Sequence, residues 1–219
     1  MMTKTPVSTP TPACNDDQQP FRYLAMGDSY TIGESVAEAK RWPVQLVHAL
    51  QNNEIAIADP EIIAKTGWTT DELTAGIAEA QPAGPYDLVT LLIGVNNQYR
   101  GLSQEVYRDE FEGLLKTAVT FANNKPSHVI VVSIPDWGAT PFAHRQDRDA
   151  IAAEIDAFNA INRTTTAQAG AHYVDITPIS RKALTDASLT AEDFLHPSGE
   201  MYAEWVTLIL PIVEDILCQ

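Results

Sequence analysis

Phe21-Arg22-Tyr23-Leu24-Ala25-Met26-Gly27-Asp28-Ser29-Tyr30 is the stretch on which the reading of this chain turns. Phe21 to Met26 is a short apolar run of strand length, and Gly27 stops it with a residue that allows a sharp turn. A hydroxyl follows at once, on Ser29. Taken alone, Gly-Asp-Ser is also ordinary turn chemistry. Its meaning depends on what the rest of the chain places beside it.

Working outward, Tyr86 to Ile93 and His128 to Ile134 are nearly continuous β-branched and apolar runs, as expected of strands buried on both faces. Ile57 to Ala64 and His172 to Ile176 are further strands, and Asp59-Pro60 assigns the former to a sheet edge. Between them run helical periods: Phe111, Leu114, Leu115 and Ala118, then Ile151, Ile155, Phe158 and Ile161. Met201, Trp205, Leu208, Ile212 and Ile216 mark a last helix, which Pro211 is expected to kink or shorten. Strands alternating with helices imply an α/β fold with a parallel sheet covered on both sides. In such sheets the ligand crevice lies beyond the carboxyl ends of the strands.

Segments just after strands therefore carry the candidates. His196 stands in Asp193-Phe194-Leu195-His196-Pro197, between the last strand and the last helix. An imidazole there is the expected base for Ser29, and in a turn Asp193 can reach its other nitrogen; Asp-x-x-His is also a capping turn. The other histidines, at positions 48, 128, 144 and 172, read as surface or packing residues. Acyl transfer also needs donors for a developing oxyanion. The second strand is followed by Gly67, which can present its N–H, and the third by Gly94-Val95-Asn96-Asn97, where Asn96 offers an amide.

That order of strand ends resembles the GDSL, or SGNH, hydrolase family from residue 21 to the end of the chain. The resemblance implies a three-layer α/β/α fold with a parallel, flavodoxin-like five-stranded sheet. It also implies Ser29 as nucleophile, with Asp193 and His196 completing a triad, and an oxyanion hole made by the Ser29 N–H, Gly67 and Asn96. Tyr30 replaces the family's usual leucine and Asn97 its usual aspartate, and neither change touches a catalytic position. Gly-x-Ser-x-Gly, the nucleophile elbow of the other large serine esterase fold, is absent.

Tyr30, Trp68, Asn97, Tyr99 and Trp137 are the candidate substrate-binding residues, with Phe142 beside them; core packing is the alternative for the aromatic ones. Pro135 to Gln146 reads as a lid or rim. The expected substrate is a small, short-acyl ester. Carbohydrate deacetylation, thioester or lysophospholipid cleavage and acyl transfer use the same site, and a non-catalytic binding module on this fold is the alternative from another class.

Composition narrows the remaining classes. A formal net charge of -15 disfavours nucleic acid and anionic lipid as partners. No apolar run reaches membrane-span length, and no basic-then-apolar leader opens the chain, so the expectation is cytoplasmic. His-Glu-x-x-His and Cys/His clusters at zinc spacing are lacking, so neither metal nor cofactor is expected. Residues 1–20, rich in Pro and Thr, read as an extended arm before one domain over residues 21–219. Cys14 and Cys218 are placed at the same lower sheet edge, where a disulfide is feasible, but two free thiols are expected.

Overall fold

The computed structural model describes residues 19–218. Five strands, β1 (Tyr23–Asp28), β2 (Glu61–Lys65), β3 (Leu88–Leu92), β4 (Val129–Val132) and β5 (His172–Val174), form one sheet in the order β2-β1-β3-β4-β5. Every neighbouring pair is parallel. The reversal of winding falls between β1 and β3, and so does the crevice expected of a doubly wound sheet.

Burial explains which strands were easy to read. All residues of β1, β3 and β4 are buried, whereas β2 and β5 are partly exposed edges. β2 is shorter than the expected Ile57 to Ala64. Pro60 interrupts the run, leaving Ile57 in an isolated bridge to Phe21, because proline cannot donate to the ladder.

Helices α2 (Trp42–Asn52) and α8 (Gly199–Leu217) pack together on one face of the sheet. On the other, α3 (Thr70–Ala80), α5 (Gln104–Phe121) and α6 (Arg148–Ala169) form a row. The core lies in both interfaces, with Trp42 and Trp205 in the first and Tyr107 and Phe111 in the second. Short helices α1 (Ser29–Ile32) and α4 (Val95–Tyr99) follow β1 and β3 directly, and α7 (Thr177–Ser180) follows β5.

Two expectations are corrected. The shortening expected at Pro211 is absent: α8 runs through it, with Pro211 and Thr207 on the exposed side, where a carbonyl that loses its partner is open to solvent. Cys218 is disulfide-bonded, and no described cysteine is free, contrary to the expectation of thiols. Cys14 and nearly all of the expected N-terminal arm lie outside the described residues. No described helix is long and apolar enough to cross a membrane.

Candidate active site

β1 delivers Ser29 to the carboxyl edge of the sheet, and the chain turns immediately into α1. Asp28 caps the turn, its Oδ1 accepting the Tyr30 N–H at 3.0 Å. Gly27 is needed for space and not, as its sequence position suggests, for turning. Its backbone lies outside the left-handed region. A Cβ there, however, would sit 2.2 Å from Thr31 Oγ1 and 2.4 Å from the Leu92 carbonyl. The left-handed residue is Gly33, φ 67°, whose N–H closes α1 onto the Ser29 carbonyl.

The segment between β5 and α8 brings His196 to this turn. Its Nε2 lies 2.9 Å from Ser29 Oγ, and its Nδ1 lies 2.6 Å from Asp193 Oδ2. Asp193 Oδ1 accepts the N–H groups of Leu195 and His196, each at 3.0 Å, which folds Asp-x-x-His into one turn. Phe194 takes a left-handed φ of 61° inside it. Asp193 Oδ2 also accepts the Ser35 hydroxyl at 2.7 Å. Burial pushes the Asp193 carboxyl upward, but the hydrogen bonds from His196, the Leu195 N–H and Ser35 outweigh it and hold it at about 2. An ionised Asp193 fixes the proton on Nδ1 and leaves Nε2 free to accept from the serine.

Gly67 follows β2 with φ 83°, and a Cβ would find only the Arg100 guanidinium, at 3.7 Å. Conformation, not crowding, requires glycine here. Arg100 braces this loop by donating to the Gly67 carbonyl at 2.6 Å while pairing with Glu72 at 3.2 Å. After β3, Gly94 is constrained in both ways: φ is 126°, and a Cβ would lie 2.3 Å from the Tyr107 hydroxyl. Asn96 then places Nδ2 at 3.0 Å from the Trp68 carbonyl and 3.4 Å from Asp28 Oδ2. One amide proton is taken by Trp68, and the long contact holds the other only weakly. Asp28 itself is fully buried, and burial raises its carboxyl to about 7 against the opposing hydrogen bond from the Tyr30 N–H.

A pocket of about 170 Å³ opens over Ser29 and His196, walled by Tyr30, Asn96, Tyr99, Trp137, Phe142 and Leu195. Trp137 is held rigidly: its Nε1 donates to Gln98 Oε1 at 2.7 Å, and Gln98 Nε2 donates to Glu154 Oε2 at 2.7 Å. The Pro135 to Gln146 stretch is a packed wall of two short 3-10 turns, tied across the pocket by the Phe142 N–H to the Phe194 carbonyl at 3.0 Å. A larger groove of about 460 Å³ lies between α5 and α6 around Leu115 and Val119, and brings no base to a nucleophile. Among the described residues, no group of three or more His, Cys, Asp or Glu could hold a metal ion.

Of the residues singled out in the sequence, Ser29, Asp193, His196 and Asn96 come together, Gly67 lies in the turn after the adjoining strand, and Tyr30, Tyr99 and Trp137 line the pocket. Trp68 and Asn97 do not line it. The Trp68 ring lies over Gly76 of α3, where a Cβ would meet it at 2.1 Å. Asn97 is buried and clasps Thr70, accepting its N–H at 3.2 Å and donating to its hydroxyl at 2.7 Å. Ser35, Gln98 and Leu195 were not singled out. Leu195 was marked only by its place inside Asp-x-x-His, and the other two carried no motif.

A family model described as the GDSL-like Lipase/Acylhydrolase family matches residues 25–204. Among solved structures, a lipolytic G-D-S-L protein from Veillonella parvula is similar with a TM-score of 0.65 at 16% identity, over 87% of this chain and 96% of that one. The psychrotrophic esterase EstA from Pseudoalteromonas sp. has a TM-score of 0.65 at 15% identity, over 90% and 99% of the two chains. Axe2, an acetylxylan esterase from Geobacillus stearothermophilus, has 0.63 at 19% identity, over 91% and 94%. These likenesses are of fold. Among curated proteins none matches.

Proposed function

The chain belongs to the GDSL-like lipase/acylhydrolase family, and from that premise we propose that it hydrolyses small, short-acyl carboxylic esters through an acyl-enzyme on Ser29. The observation that carries this reading is the chain of contacts from Ser29 Oγ through His196 to Asp193, at 2.9 and 2.6 Å, on the floor of a pocket.

In this reading Ser29 Oγ attacks the ester carbonyl while His196 Nε2 takes its proton. Asp193 stabilises the imidazolium that forms. The Ser29 and Gly67 N–H groups and the weakly held proton of Asn96 Nδ2 receive the oxyanion. His196 then gives its proton to the leaving alcohol, and water repeats the cycle on the acyl-serine. The short-acyl assignment rests on size. At about 170 Å³ the pocket is smaller than the roughly 300 to 1,000 Å³ typical of drug-sized ligands, and Trp137 is braced against moving aside.

The test is hydrolysis of an ester panel of graded acyl length by wild type and Ser29→Ala. Activity is expected on the shortest acyl groups and to fall by at least about a thousandfold in Ser29→Ala. Retained turnover in that variant refutes the nucleophile, and preference for long chains refutes the substrate class. A folded wild-type protein that fails to react with a fluorophosphonate favours a binding module.

A further inference from the structure

The loop that follows the nucleophile folds back on the nucleophile's own peptide. The Gly33 N–H reaches the Ser29 carbonyl, the Glu34 N–H reaches it too at 3.0 Å, and the Val36 N–H returns to the Gly33 carbonyl at 3.3 Å. Ser35 sits in the middle of this loop with φ 63°, a conformation that side-chain-bearing residues rarely adopt. Its hydroxyl donates to Asp193 Oδ2 at 2.7 Å, the same oxygen that lies 2.6 Å from His196 Nδ1.

We propose that Ser35 is a positioning residue that holds the Asp193–His196 turn in register with Ser29. The proposal rests on the reading of Ser29 and His196 as nucleophile and base. The geometry closes a ring: Ser29 Oγ to His196 Nε2, Nδ1 to Asp193 Oδ2, Oδ2 to Ser35, and Ser35 back to Ser29 through the tight loop. The bond between His196 and Ser29 is the one that must change when the proton moves. The bond between Ser35 and Asp193 persists through that step and keeps the carboxylate aimed at Nδ1. A hydrogen bond to a carboxylate is among the stronger kinds, which accounts for retention of the left-handed backbone at a non-glycine residue.

Ser35 does not line the pocket, so its effect falls on kcat and not on KM. Ser35→Gly separates this role from a merely structural one, because glycine suits φ 63° while the lost CH2OH group takes the donor away from Asp193. The expected result is a melting temperature close to that of wild type, relief of the strained φ offsetting the lost hydrogen bond, with an unchanged KM and a kcat lower by about tenfold. Labelling of Ser29 by a fluorophosphonate should slow in parallel. In an Asp193→Ala background, which lacks the acceptor, Ser35→Gly should cost nothing more, since coupled residues are non-additive. Ser35→Asn, which tolerates the left-handed region and carries a donor, should recover part of the labelling rate.

Wild-type kcat in Ser35→Gly, or an equal loss in both backgrounds, overturns the proposal. Ser29→Ala in the same series separates the two failures. Activity that survives Ser29→Ala overturns the underlying reading. An inactive Ser29→Ala beside a normal Ser35→Gly overturns only the role of Ser35.

Discussion

Two carboxylates flank the candidate nucleophile, and their surroundings drive them in opposite directions. Asp193 is rich in donors and is held at about 2, below its ordinary 3.8, so its ionised form supports the native state at neutral pH, a contribution lost as pH falls between those values. Asp28 is fully buried beside Ser29 and is raised from 3.8 to about 7. Below the ordinary value, folded and unfolded chains both carry Asp28 protonated. As pH rises from there through about 7, the unfolded chain ionises first and the native state loses stability relative to it. Asp28→Asn cannot ionise, while its side-chain oxygen can still accept the Tyr30 N–H. Placing an amide against Asn96 carries a cost that does not vary with pH. The melting temperature of Asp28→Asn minus that of wild type should therefore climb between about pH 4 and pH 8. A difference that is flat or falling over that interval would show that the buried carboxyl does not titrate as its surroundings dictate.

At the scale of elements, the glycines near the carboxyl ends of β1 and β2 do different physical jobs, and the difference is measurable. Gly27 lies inside β1, one residue before its end, with a backbone any residue could adopt, but its missing Cβ makes room for Thr31 and for the Leu92 carbonyl of β3. Thr31 has a side chain that can rotate, whereas the carbonyl belongs to the sheet and cannot. Gly27→Ala should thus overpack the β1–β3 seam by about 3 kcal/mol, lowering the melting temperature by roughly 6 to 12 °C in a domain of this size. Gly67 is the reverse case, with open space and φ 83°. Gly67→Ala should cost only about 1 to 2 kcal/mol of strain, yet shifting its N–H away from an oxyanion should lower kcat by up to about a hundredfold. Melting curves and kcat for the pair should cross over, Gly27→Ala being the less stable and Gly67→Ala the slower. The sequence pattern showed that both were glycines at strand ends; it did not show which was there for space and which for φ. The same limit hid α3, whose Thr70–Ala80 stretch buries only Leu73 and Ile77 among large apolar side chains and is stabilised instead by the Thr69–Glu72 capping box.

For the whole molecule, legibility followed topology. Ser29, Gly67 and Asn96 each follow a strand that enters the same parallel sheet, so the order of apolar runs already brings them to one edge, and His196 arrives there with the final crossover. The pocket walls were less legible, because Tyr99, Trp137, Phe142 and Leu195 converge from separate segments after three different strands, and nothing local distinguishes a wall aromatic from Trp68, which packs on a helix. The Ser35 contact was not legible, since it joins residues 158 positions apart without a motif. Net charge, by contrast, is a property of the whole chain that reaches the site from a distance. At -15, the field favours approach of a cationic ester and opposes an anionic one, and the donors near the mouth do not reverse it, as Arg100 is already paired with Glu72. The Debye length shrinks from about 30 Å at 0.01 M salt to about 3 Å at 1 M, so long-range attraction should vanish across that range while contacts inside the pocket persist. For two esters with the same short acyl group, one with a quaternary ammonium alcohol and one neutral, the ratio of kcat/KM should favour the cation at low salt and fall by roughly tenfold at high salt. The decline should appear in kcat/KM with kcat nearly constant, because steering acts on encounter. A ratio independent of salt would mean that the pocket mouth is screened from the acidic surface, and that substrate choice is decided by the aromatic walls alone.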